Sequence, residues 1–126
     1  MDKLEYIQGD LVKFATNTYT IVNFEENFLH NKICYALIST NSTKTAFVAD
    51  RDILPIPLTT EILEKNGWEH KDDVYFKEYP HRKLVVMDGN AYIINESCSL
   101  FLCKAEFVHE LQHLLYALHI DSNLKI

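Results

Sequence analysis

Residues 109 to 113 read His109-Glu110-Leu111-Gln112-His113, the spacing H-E-x-x-H. On a helix, side chains at i and i+4 leave from one face. His109 and His113 are therefore spaced to ligate a zinc ion, with Glu110 between them to take a proton from the metal-bound water. The chemistry implied is metal-assisted hydrolysis. Such a site needs a third protein ligand. If the helix runs on, His119 lies about 15 Å along the axis from His109. A metal whose bonds to nitrogen are about 2 Å cannot use both. The upstream residues of suitable type are His30, His70, His81 and Glu96.

Over His109 to His119 the chain resembles the metzincin zinc peptidases, whose longer pattern also ends on a histidine. It departs from them at Tyr116, which stands where the pattern has a glycine that turns the chain back toward the metal. Only seven residues follow His119, which leaves no room for the Met-containing turn those enzymes place beneath the metal. The competing expectation is an ordinary polar helix face, with Glu106 beside Glu110 and His109 beside His113 as i,i+4 neighbours. At 100° per residue, Phe107, Val108, Leu111, Leu114, Leu115 and Leu118 form one apolar stripe. His109, His113, Tyr116 and Ile120 fall nearly opposite it. Apolar side chains on that outer side suggest a surface that something covers. The expectation is thus a binding surface of His109, His113, Tyr116 and Ile120, with no catalytic residue, metal or other cofactor. A zinc hydrolase built on His109, His113 and Glu110 is the alternative.

Other chemistry is sparse. The glycines are isolated, so no phosphate loop is present, and Ser97-Cys98-Ser99 lacks the glycines of a nucleophile elbow. Three cysteines, Cys34, Cys98 and Cys103, cannot all pair within one chain and are expected to be structural thiols, with Cys98 and Cys103 on opposite faces of one strand. The chain carries 12 Lys+Arg against 18 Asp+Glu, a net charge of −6. Its one basic cluster, His81-Arg82-Lys83, is too small for a phosphate-binding footprint, so no nucleic acid is expected. The longest apolar run, Ile33 to Ile38, is far short of the ~20 residues of a membrane span. The first residues, Met1-Asp2-Lys3-Leu4-Glu5, do not read as a signal peptide. Together these features lead to an expectation of a cytoplasmic protein that meets no membrane.

The elements that would position these residues are those of an α+β chain of 126 residues, 48% of them hydrophobic. Residues 1–58 show dense β-branched and aromatic runs at Leu11–Phe14, Thr18–Phe24, Ile33–Ile38, Thr45–Ala49 and Ile53–Leu58, separated by polar turns such as Ser39–Lys44. Five short strands without a helical period predict a small SH3-like β-barrel. Residues 59–126 predict a short helix capped by Thr59 and stopped at Asn66-Gly67. Strands follow at Val74–Tyr79, Leu84–Met87, Ala91–Asn95 and Ser99–Cys103, with a hairpin at Asp88-Gly89-Asn90. An amphipathic helix over Ala105–His119 completes this half. The two halves are expected to pack as one unit.

Two segments carry a further likeness. Pro55-Ile56-Pro57-Leu58-Thr59-Thr60-Glu61-Ile62-Leu63 running into Gly67-Trp68-Glu69, and Val108 to Leu118, resemble an uncharacterised family of small proteins encoded by gut bacteria and their phages. The resemblance covers the second half of the chain. It implies an accessory protein with no known activity, and a zinc motif that is an accident of composition, since the family usually carries amides at the positions of Glu110 and His113. The function expected is non-enzymatic binding of a protein partner or of a second copy. A structural component of a larger assembly, such as a virion, is a further alternative.

Overall fold

A computed structural model describes residues 6–27, 32–39 and 45–126. His30 and the polar loop expected after Ser39 lie outside them. The chain divides into two compact units, Met1–Ile56 and Pro57–Ile126.

The first unit is one antiparallel sheet of β1 (Leu11–Phe14), β2 (Asn17–Asn27), β3 (Lys32–Ser39), β4 (Thr45–Ala49) and β5 (Leu54–Pro55), in the order β4-β3-β2-β1-β5. A single 3-10 turn, Asp50–Asp52, leads from β4 to β5. Alternate residues of the strands fill the core: Val12, Ile21, Tyr35, Leu37 and Val48 are buried together with Tyr6 and Ile53. The Tyr6 and Tyr35 rings meet edge to face at 5.7 Å. Among the described residues no ladder joins β4 to β5, so closure into a barrel is not seen. The last strand is shorter than expected because Pro55 and Pro57 have no N–H to donate to a ladder.

The second unit is a five-stranded antiparallel sheet with two helices. Helix α1 (Thr60–Lys65) precedes β6 (Glu69–Lys71), β7 (Val74–Tyr79), β8 (Arg82–Met87), β9 (Asn90–Ile94) and β10 (Ser99–Lys104), and α2 (Val108–Ala117) follows. The strands lie in the order β10-β9-β8-β7-β6, so each pairs with its sequence neighbours. Two-residue turns join the strands from β6 to β9, with Asp72, His81, Asp88 and Gly89 at positive φ, and the four residues Asn95 to Cys98 join β9 to β10. Thr59 caps α1, its hydroxyl accepting from the Ile62 N–H at 3.3 Å. One face of the sheet carries Leu84, Val86 and Ala91, which pack with Leu63 and Trp68 and with Leu111, Leu114 and Leu115 of α2.

Three details differ from expectation. Strand β6 was not foreseen, because Glu69-His70-Lys71 has no apolar residue to mark it. Cys98 is not in a strand: it sits in the turn before β10, where its N–H and thiol both donate to Asn95 Oδ1. In β10 the register shifts between Phe101 and Cys103, leaving Leu102 as the extra residue of a bulge.

Gly89 is the residue of the β8–β9 turn that cannot be replaced without cost. It lies at φ +73, and a Cβ there would come within 2.8 Å of Glu106 Cγ. Gly89→Ala is expected to lower the stability of this unit by about 1–2 kcal/mol for the left-handed backbone, with a steric part in addition. Urea unfolding checks this. Adding Glu106→Ala should return the steric part and leave the backbone part.

Candidate functional site

Helix α2 begins at Val108, three residues later than expected, because the backbone before it is already engaged. The Ala105 N–H donates to the Gly89 carbonyl at 2.8 Å, and the Glu106 carbonyl accepts from the Leu58 N–H at 2.9 Å. This places Glu110 in the first turn. Its Oε1 accepts from the N–H of Glu106 at 2.9 Å and of Phe107 at 3.0 Å. These are donors at a helix start that have no partner within the helix, and a carboxylate there also meets the positive end of the helix dipole. The carboxylate that a hydrolase would use as base serves here as the cap of its own helix.

The histidines do not form the expected exposed face. His109 is buried, 3% exposed, and its ring stacks on Phe107 with centroids 6.0 Å apart. His113 is half-buried and meets His109 edge-on at 5.6 Å. Gln112 between them is buried as well and donates to the Ser122 carbonyl. Among the described residues no third histidine, cysteine or carboxylate joins this pair in a group that could hold a metal ion. Of the upstream residues, His70 bonds Glu64 at 3.1 Å and packs against Tyr75. His81 and Glu96 are exposed turn residues, and His30 lies outside the described residues.

The far end of α2 separates the other two members of the expected surface. His119 adopts φ 60, the left-handed conformation that ends a helix. Its N–H donates to the Tyr116 carbonyl at 3.0 Å, and the Ile120 N–H donates to the Leu115 carbonyl at 2.9 Å. This is a Schellman cap. It turns Ile120 back, and its side chain packs against the core that includes Leu115. Ile120 is therefore not an outer-face residue, whereas Tyr116 is 70% exposed. His109, His113, Tyr116 and Ile120 do not make one continuous exposed face. A helical wheel treats the helix as an isolated cylinder that does not end, and both assumptions fail here.

The thiols differ from one another. Cys98 is exposed and Cys34 half-buried. Cys103 packs against the core of the second unit, and burial, together with the nearby Glu110 carboxylate, raises its pKa above the ordinary value. It is a poor nucleophile at neutral pH.

The surface that sequence reasoning missed is the sheet face turned away from the helices. The registers Phe76↔Val85, Val85↔Tyr92 and Tyr92↔Phe101 set four apolar side chains in one row across β7, β8, β9 and β10. Tyr92 and Phe101 meet edge to face at 5.7 Å, and Lys83 Nζ lies 5.2 Å from the Phe76 ring centroid. Val74 and Met87 pair on one side of this row, and Ile94 lies on the other. Lysines border it: Lys71 beyond Val74, Lys83 beside Ile94, and Lys104 beyond Asn90. The signal available in the sequence was that β7 and β9 are apolar at both parities. A one-sided sheet would alternate.

Two outcomes follow. Glu110→Ala should destabilise the second unit by about 1–2 kcal/mol, the cost of a lost helix cap. The loss should be the same in EDTA and in zinc-supplemented buffer, as unfolding curves would report. At pH 8, iodoacetamide should modify the exposed Cys98 faster than Cys103, whose raised pKa leaves less thiolate and whose packing limits access. That gap should narrow as pH rises toward the Cys103 pKa, as peptide mass mapping would show.

Comparison of the chain with protein-family models, with curated proteins and with solved structures returns no match.

Proposed function

We propose that this chain is a non-enzymatic accessory protein that works by binding another protein, and that the outer face of the second unit's sheet is its contact surface. One observation carries the reading: the row of Phe76, Val85, Tyr92 and Phe101 across four strands on the face away from both helices. An antiparallel sheet with one face packed on a core ordinarily presents polar side chains on the other. Here Phe101 is 54% exposed and Met87 36% exposed on that face, with Phe76 and Tyr92 half-buried on either side of the buried Val85. Apolar surface gathered in this way marks an interaction site more often than a solvated face. The bordering Lys71, Lys83 and Lys104 outnumber Glu69 and Glu78 on the same face, although the whole chain carries a net charge of −6. The partner surface that fits is apolar at its centre with carboxylates around it.

The capping role of Glu110 and the burial of His109 weigh against the hydrolase alternative. Strand order β4-β3-β2-β1-β5, with a 3-10 turn before the last strand, supports an SH3-like reading of the first unit. The likeness of Pro55–Leu63 and Val108–Leu118 to small proteins of gut bacteria and their phages supports an origin on a phage or mobile element.

A photo-crosslinking residue placed at Phe101, with a second version at the exposed Glu96 as control, tests the contact in cells that make the protein. A discrete adduct specific to position 101, abolished by Tyr92→Lys in a chain whose unfolding curve is unchanged, is the expected result. Adducts that are no more discrete at 101 than at 96 would overturn it. An adduct of twice the chain's own mass would identify the partner as a second copy.

A further inference from the structure

On the helix-bearing side of the second unit, a cavity of about 510 Å³ opens between the start of α1, the turn after β8 and the segment leading into α2. Its volume is in the range of small-molecule sites. Leu58, Leu63, Tyr75 and Val86 contribute its apolar walls, and among the described residues Asp88 and Glu106 are its only charged lining residues. The polar groups of the α1 side are already engaged. The Thr59 hydroxyl caps the helix, and the Thr60 hydroxyl bonds the Tyr75 hydroxyl at 2.5 Å. The carboxylates are different, since neither enters an ion pair among the described residues. The exposed Glu106 side chain lies over Gly89, where a Cβ would stand 2.8 Å from its Cγ and 3.4 Å from its Oε1.

We infer that this cavity is a binding site for an alkylammonium group, an aliphatic chain ending in a primary amine. The apolar walls take the chain, and the carboxylates of Asp88 and Glu106 take the ammonium by charge-assisted hydrogen bonds. A bare metal ion would leave those walls unused, and a carboxylate or phosphate ligand would meet two like charges. The same chemistry is offered by a free amine and by a lysine side chain of another polypeptide. This site is separate from the sheet face proposed as the protein contact and does not depend on it.

The test is an NMR titration of the whole chain, labelled with ¹⁵N, using three probes of equal length: n-pentylamine, 1-pentanol and pentanoate. Saturable shifts are expected at Thr60, Leu63, Gly89 and Glu106 with pentylamine. They should be at least about tenfold weaker with pentanol and absent with pentanoate. Asp88→Asn combined with Glu106→Gln should weaken the amine about tenfold and bring it level with the alcohol. Nα-acetyl-lysine methylamide then separates the two sources. Binding as tight as pentylamine assigns the site to a lysine side chain, and weaker binding assigns it to a free amine. No saturable shift at these residues with any of the amines, or equal shifts with pentanoate, would overturn the proposal. The probe series on the unmodified chain stands even if the double variant fails to fold.

Discussion

Three consecutive residues, Ala105, Glu106 and Phe107, hold the second unit together through their backbone. Ala105 donates to Gly89 in the β8–β9 turn, and Glu106 accepts from Leu58 at the approach to α1. Phe107 forms an isolated bridge with Pro57. The N–H groups of Glu106 and Phe107 end on the Glu110 carboxylate. Sheet, first helix and second helix thus meet on one short extended segment whose hydrogen bonds run in three directions. Buried backbone groups are costly to leave unpaired, so this segment cannot join the helix that follows it. The start of α2, the placement of Glu110 and the mouth of the cavity beside Gly89 all follow from that commitment.

The same commitment decides how the H-E-x-x-H sequence is used. In a zinc peptidase the glutamate must face a metal-bound water. Here it lies in the first turn of its helix, where the nearest unsatisfied donors are backbone N–H groups. Here the same letters put one carboxylate oxygen on the backbone N–H groups that open the helix, because of where the helix begins, and five residues of sequence do not contain that information.

What could be read in advance follows physical range. The β8–β9 hairpin was legible because a turn of two positive-φ residues strongly favours Asp-Gly. The Thr59 cap and the Asn66-Gly67 stop were legible for similar local reasons, and so was the buried stripe of Val108, Leu111, Leu114 and Leu115. The start of α2 was not, since its determinants sit at Gly89 and Leu58, far away in sequence. Nor were the burial of His109 and the return of Ile120 to the core, which depend on what lies beside the helix and on how it ends. The apolar row across the outer sheet face needed the register of four strands at once. Each strand contributes one residue to it, and none of those residues is unusual alone.

The bulge at Leu102 has a bearing on what the edge of its sheet can pair with. Strand β10 lies at the edge of its sheet and reads Ser-Leu-Phe-Leu-Cys-Lys, and an apolar edge of this kind is a template on which further strands can stack without limit. The extra residue breaks the regular spacing of outward N–H and C=O groups, and Lys104 closes the strand with a charge that a stacked copy would have to accommodate. Regular pairing of a further strand along this edge is thereby discouraged. A regular strand laid along β10 would therefore meet an interrupted ladder and a terminal charge.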